Sequence, residues 1–347
     1  MTTLSSQTPP HVNGPLSFAQ TLALPLALIL LSHAAIFIRL AEAHALAILF
    51  WRLLMAWPIM ALLVIYESRA KAAQTTHAFN ANFAPSQEIS TTPVQSFRER
   101  LQLWAAGVLL FVHFVSFFVA VQRTSVAASN ILFTLNPVTT AVGAWLLHRH
   151  ALSNLLAGSM GLGILGVLSL FGPLFWQSTS DPTLRFNVGG GLMGVLSAVS
   201  FSAYLLTSRH VRRRLSNPRF TLELWTVAMI LAGIGMWMLD VPFFEYSERT
   251  WWSFLALAWL PTLLGHAIFT WCLNHYDINA LSCATLSEPV IAAAVAYWMF
   301  GENLSMSEIL SFALTSASIA LLTWPWIQIQ LRARVLTRQN HDKAASR

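Results

Sequence analysis

The chain predicts an all-α integral membrane protein whose ten transmembrane helices form two inverted five-helix repeats. Three observations carry that expectation. Hydrophobic residues make up 56% of the 347 positions and charged residues 10%, against about 25% charged in an ordinary soluble domain, so too few polar groups exist to cover a water-exposed surface. Ten windows with few charges reach the length of helix that crosses the hydrocarbon, which is about 20 residues. Two stretches 152 residues apart, Ala128 to Ser153 and Ala280 to Ser305, are versions of one another, each an apolar span broken midway by a polar residue and a proline. Asn136-Pro137 aligns with Glu288-Pro289, and Ala128/Ala280, Val138/Val290, Ala141/Ala293, Ala144/Ala296, Leu152/Leu304 and Ser153/Ser305 also match. So long a period in so apolar a chain indicates a duplicated membrane protein.

Residues 1–17 contain no Lys or Arg and no small-residue cleavage site follows the first span, 18–38, so a short disordered cytoplasmic tail is expected before a retained helix. The second span, 45–66, carries Trp51 and Arg52, and residues 67–100 read as a polar cytoplasmic insertion within the first repeat, 18–175. The third, 103–121, holds His113 and Phe111, Phe114, Phe117 and Phe118 at helical spacing. Those rings read mainly as core or lipid-facing, with one or two free to wall an apolar pocket. The fourth, 126–147, contains Asn136-Pro137, and the fifth, 155–175, carries Gly158, Gly161, Gly163 and Gly166, which permit close helix contact. The second repeat, 189–326, takes spans at 189–208, 222–239, 251–272, 279–300 and 308–326, and residues 327–347 form a basic tail. Cys272 and Cys283 both lie in apolar stretches and read as buried inert thiols rather than a disulfide or metal site.

Charge sets the orientation. Fifteen Lys and Arg fall on one side of the ten-span arrangement, four (Arg39, Arg123, Arg185 and Arg249) on the other, and Arg52 within a span. The positive-inside bias then places both termini in the cytoplasm. Each half carries an odd number of helices, so the second enters the membrane upside down relative to the first, an arrangement that suits alternating access around a central site. The net charge of +6 resides in loops and tails, without the basic and aromatic interleaving of a nucleic-acid surface, so no nucleic-acid partner is expected.

Depth selects the polar residues able to face a substrate. With a rise of about 1.5 Å per residue, Glu288 lies about 13 Å from the cytoplasmic start of its helix and Asn136 about 15 Å from the outer start of its own. A carboxylate at mid-depth is costly unless paired, hydrated or protonated, so Glu288 should face the bundle interior. Two readings compete: a proton-coupling or substrate-contacting group, or a structural acceptor that ties the broken ninth helix to Arg52 or to backbone N–H groups. Asn136 cannot titrate and reads more as structure. Pro137 and Pro289 mark the helix breaks, each freeing a carbonyl one turn earlier. Arg52, about 10 Å below the outer surface, either snorkels outward or reaches toward Glu288. His113 lies closest to mid-depth of the span histidines and reads as a packing residue or as a carboxylate-binding or proton-relaying one. Trp51 is equally ambiguous between core and pocket wall. No histidine pair has zinc-site spacing, so no metal is expected.

Five motifs, in order through both halves, carry a resemblance: Phe50-Trp51-Arg52-Leu53, Thr124-Ser125-Val126-Ala127-Ala128, Asn136-Pro137-Val138, Ser287-Glu288-Pro289-Val290 and Phe300-Gly301-Glu302-Asn303-Leu304-Ser305. With them the chain resembles the EamA family of the drug/metabolite transporter superfamily. It departs at His148-Arg149-His150, where that family usually keeps a Gly-Glu pair, and in the long 67–100 segment. The resemblance implies a secondary transporter of the cytoplasmic membrane that exports small organic metabolites, amino acids or related amphipathic compounds, by alternating access. Its expected partners are the lipid bilayer, a small-molecule substrate and, through Glu288, protons; facilitated exchange and a homodimer stay open. A sugar-phosphate or nucleotide-sugar carrier of the same superfamily is the alternative, weakened because the two lysines, Lys71 and Lys343, lie outside the spans. A non-transporting structural or sensory membrane protein is the other. No Walker A sequence, G-x-S-x-G or H-E-x-x-H is present, so neither an ATP-driven pump nor an enzyme is expected, and no cofactor.

Overall fold

A computed structural model describes residues 18–80, 97–148, 154–172, 187–212, 214–272 and 287–321, and all regular structure among them is helical. The two tails, Cys283 and the start of the ninth predicted span lie outside the described residues. The first span comprises α1 (Phe18–Ser32) and α2 (Ala34–Leu40). They meet at His33, whose Nδ1 lies 2.6 Å from the Ile29 carbonyl oxygen.

The second span is α3 (Ala45–Asn80), a 36-residue helix. At 1.5 Å per residue it is about 54 Å long, well beyond a hydrocarbon layer of about 30 Å. No Gly or Pro occurs between Glu67 and Asn80, so nothing in the sequence stops the helix there. Part of the expected 67–100 insertion is therefore helix, continued on its far side by α4 (Phe97–Arg123), which starts six residues before the predicted 103. An ion pair of 2.6 Å between Arg214 and Glu99 holds that first turn.

The fourth span is broken where its proline requires. Ser125 caps α5 (Val126–Phe133) by accepting from the Ala128 N–H at 2.9 Å, and α6 (Asn136–His148) begins after Thr134 and Leu135. Pro137 has no N–H for the carbonyl of Phe133, the last residue of α5. The remaining helices are α7 (Asn154–Phe171), α8 (Val188–Arg212), α9 (Asn217–Met238), α10 (Glu248–Leu257), a π-helical stretch from Ala258 to Gly265, α11 (His266–Cys272), α12 (Ser287–Phe300) and α13 (Met306–Leu321). Gly301, at φ +64°, stops α12 in the left-handed conformation that glycine adopts without a steric penalty. Its N–H reaches the Tyr297 carbonyl at 3.0 Å, closing the helix end.

Six of these segments are long and apolar enough to cross a membrane: Leu22–Leu40, Ala45–Ala70, Phe97–Arg123, Val188–Ser208, Asn217–Met238 and Glu248–Phe269. Ala157–Phe171 and Met306–Leu321 are shorter apolar helices. The chain is an all-α, multi-pass membrane protein. Its outward faces expose large apolar side chains such as Leu62, Ile164, Ile230 and Trp298, a surface that lipid accommodates and water does not. The main core joins α2, α3, α4, α9 and α10, and a smaller cluster of Ala128, Ile131, Leu132 and Leu170 joins α5 to α7.

Close helix approaches use small residues. A Cβ on Gly107 would fall 2.7 Å from Val227 of α9, and one on Gly194 of α8 would fall 2.5 Å from Leu132 of α5. Of the four glycines expected to pack α7, Gly158, Gly163 and Gly166 face α13, where the Ser311 hydroxyl donates to the Gly166 carbonyl and that of Ser318 to the Ser159 carbonyl, both at 2.6 Å. Gly161 faces open space instead.

Candidate functional site

The middle of the bundle is organised by a proline on one helix and an arginine on another. Pro261 cannot donate to the carbonyl four residues back, that of Leu257, and the helix widens into its π stretch. The hydroxyl of Thr262 takes over that carbonyl, donating at 2.7 Å. Its remaining lone pair accepts from Arg52 Nε at 2.6 Å. Arg52 is only 4% exposed, and its guanidinium lies over the Phe114 ring at 4.7 Å and near Phe118 at 5.7 Å, a favourable placement of a cation on an aromatic face. The reach from Arg52 toward Glu288 is not realised: among the described residues no ion pair joins them, and Thr262 and Phe114 hold the guanidinium instead.

His113 shares Phe114 with Arg52, its ring centroid 5.1 Å from that of the phenylalanine. It is buried, and its Nδ1 lies 2.9 Å from the Ser197 hydroxyl and 3.1 Å from the Ser197 carbonyl oxygen. Phe133 and Phe201 stand 5.3 and 4.9 Å from its ring, so residues of α4, α5 and α8 form one aromatic wall. Asn136 opens α6 and lies beside α8: the Ser202 hydroxyl donates to its backbone carbonyl at 3.2 Å, and Thr139 and Thr140 reach the same serine. The buried Asn136 side-chain oxygen has no hydrogen-bond partner among the described residues.

Trp51 and Glu288 stand apart from this group. The Trp51 indole donates to the Phe243 carbonyl at 2.9 Å and packs edge-on against Trp251, which anchors α3 among aromatic residues at the helix ends. Glu288 occupies the first turn of α12, where the helix dipole favours negative charge. Glu288 as a residue is partly buried, and among the described residues no hydrogen bond or ion pair engages its carboxylate. The break before Pro289 falls outside the described residues.

A second polar cluster joins the two halves at one end of the bundle. Arg39 of α2 pairs with Glu302 at 2.5 Å and donates to the Thr124 carbonyl at 2.9 Å. The other Glu302 oxygen accepts from the Val126 N–H at 3.0 Å, in the first turn of α5. Glu308 and Ser305 form a capping box on α13, with the Ser305 N–H donating to the carboxylate at 2.7 Å and the Glu308 N–H to the Ser305 hydroxyl at 3.3 Å. The second Glu308 oxygen accepts from the Ser125 hydroxyl, so the caps of α5 and α13 are linked. Nearby, Arg249 meets Glu42 and the Thr250 hydroxyl donates to the Ala41 carbonyl at 2.6 Å.

Sequence reasoning missed Thr262, Ser197 and Ser202, because single hydroxyls in apolar helices carry no spacing signal. It also missed the pairing of Arg39 with Glu302, 263 positions away. Only the Ser305-to-Glu308 capping box has a local signature, a serine followed three residues later by glutamate.

Apolar membrane-crossing helices surround a buried cation, an imidazole and hydroxyls, the makeup of a multi-pass membrane protein with a polar interior. The sequence model of the EamA-like transporter family matches residues 21–172 and again 188–324, and the chain belongs to that family. It is a secondary transporter of small molecules across a membrane. It is similar to an uncharacterized transporter of Archaeoglobus fulgidus, with 25% identity over 225 residues, 64% of this chain and 76% of that one. An uncharacterized transporter of Synechocystis is 23% identical over 287 residues, 81% of this chain and 80% of the relative. A crystal structure with 17% identity superposes at a TM-score of 0.55, covering 88% of this chain and 97% of the other, and shares the fold.

Proposed function

We propose that the protein exports small organic metabolites, amino acids or related amphipathic compounds, by alternating access between two inverted five-helix repeats that together make ten spans. The observation that carries the reading is the packing pattern. Numbering the predicted spans 1 to 10, span 3 packs on span 6 as span 8 packs on span 1, span 4 on span 6 as span 9 on span 1, and span 7 on span 3 as span 2 on span 8. Spans 2 and 7 pair with each other, as do spans 4 and 9. Exchanging the halves maps these contacts onto themselves, the relation that lets two bundles rock around a fixed midplane site.

In this reading the repeats divide at 18–175 and 189–326, both termini are cytoplasmic in the cell's inner membrane, and the end carrying Arg39, Glu302 and Glu308 faces outward. The polar latch there holds that end closed. Opening it breaks the bonds from Glu302 and Glu308 to the start of α5. Arg52, His113 and Asn136 face the substrate path, Trp51 steadies the second span, and Glu288 takes up and releases the coupling proton, while the breaks at Pro137 and Pro289 let the half-helices tilt.

The test is a panel of metabolites offered to the purified protein in liposomes, with and without a pH gradient, for wild type and Glu288→Gln. Gradient-driven flux that the substitution abolishes is expected. Flux indifferent to both would sink proton coupling through Glu288, and no flux across a broad panel would sink the export reading.

A further inference from the structure

Among the described residues, nothing balances the positive charge of Arg52. Arg52 is buried, and among the described residues its one hydrogen bond runs from Nε to the neutral hydroxyl of Thr262. Among the described residues no carboxylate lies within ion-pair distance of it, whereas Arg39, Arg214, Arg219 and Arg249 all have one. A desolvated guanidinium is costly without an anion, and contact with Phe114 offsets only part of that cost. With Nε occupied, the two Nη groups remain, and their planar fork matches the two oxygens of a carboxylate.

We propose that Arg52 is the counter-ion for a carboxylate on the transported molecule, so that the site takes an amphipathic monocarboxylate whose apolar body lies against the Phe114, Phe117, Phe133 and Phe201 rings. This rests on the reading of the bundle centre as the substrate path. Those four rings are only partly buried and lie together, with Phe133 5.6 Å from Phe117 and 5.4 Å from Phe201. They present an apolar wall beside the cation. The charge count sets the ligand class: Arg52 is the one Lys or Arg inside a predicted span. One cation neutralises a monoanion and leaves a phosphate dianion with charge in excess. Thr262 acts as a positioning residue, since its hydroxyl, fixed on the Leu257 carbonyl freed by Pro261, aims the guanidinium.

The test compares acids with their own amides: 3-phenylpropionate with 3-phenylpropionamide, hexanoate with hexanamide and phenylalanine with phenylalaninamide, with inorganic phosphate as the dianion. Thermal unfolding of the purified wild type reads binding without requiring flux. At least one acid is expected to stabilise the protein at concentrations 10- to 100-fold below its amide, the range for hydrogen bonds to a charged group, and phosphate is not. Arg52→Gln removes the preference and Arg52→Lys retains part of it. Acids and amides acting alike, no acid binding, phosphate binding better than any acid, or a preference surviving in a folded Arg52→Gln protein would each overturn the proposal; if that variant does not fold, the wild-type pairs decide. Liposome flux of neutral or cationic metabolites with no acid preference overturns the carboxylate site but leaves the transporter reading intact. Acid-selective binding without flux does the reverse.

Discussion

Arg39 and Glu302, 263 positions apart in sequence, form a 2.5 Å ion pair in which the carboxylate is 6% exposed and the guanidinium 27%. The pair ties the end of α2 to the turn after α12, and through the Val126 N–H it reaches the start of α5. Family motifs that read as separate in the sequence, Thr124 to Ala128 and Phe300 to Ser305, meet here.

The asymmetry of exposure sets the order of the mutants. Arg39→Ala takes the cation away from a buried carboxylate, whereas Glu302→Gln leaves an arginine that water already reaches. Arg39→Ala is therefore expected to be the more destabilising, by about 1.5–3 kcal/mol, the range for a hydrogen bond to a charged group. Thermal unfolding in detergent checks the order, and a double-mutant cycle isolates the pair. Equal losses that simply add would contradict the arrangement.

Ser305 and Glu308 make the capping box of α13, and Glu308 also holds the Ser125 cap of α5. Ser305→Ala is expected to cost about 1 kcal/mol, as other N-cap losses do. Glutamine can serve in a capping box, so Glu308→Gln is expected to be milder than Glu308→Ala. The comparison needs only melting curves of three variants, and equal losses for the two Glu308 variants would mean that charge, not capping geometry, dominates.

Gly161 and Gly166 differ in what a methyl group would meet. At Gly166 a Cβ would lie 2.8 Å from the Thr315 methyl and 3.3 Å from the Ser311 carbonyl oxygen, while at Gly161 nothing lies within 4 Å. Gly166→Ala is expected to destabilise by about 1–3 kcal/mol, as overpacking does. Gly161→Ala should be neutral or slightly stabilising through helix propensity. Similar melting temperatures for the two variants would show that α7 and α13 separate at low cost.

That the chain is an all-α, multi-pass membrane protein and that it breaks at Asn136-Pro137 were legible because each rests on local chemistry. Apolar length defines a membrane helix, a proline cannot supply an N–H, and a serine three residues before a glutamate caps a helix. Helix ends were less legible: α3 runs to Asn80 and α4 starts at Phe97 because no Gly or Pro stops the chain where the apolar window ends. Depth arithmetic selected Glu288 and Asn136 near mid-depth, with Arg52 and His113 also within apolar spans, but it measures position along an axis, not direction around it.

The sequence by itself therefore determined that this chain crosses a membrane as helices, where one of them breaks, and which ionisable groups lie within apolar stretches. Only the tertiary structure decided the partners. Thr262 rather than Glu288 holds Arg52, because Pro261 widens the helix into a π turn and Thr262 takes the freed Leu257 carbonyl. Glu302 meets Arg39 because α2 and α12 pack together at one end of the bundle. Hydrogen bonds and ion pairs depend on distances of about 3 Å between groups far apart in the chain, and no local pattern records those distances.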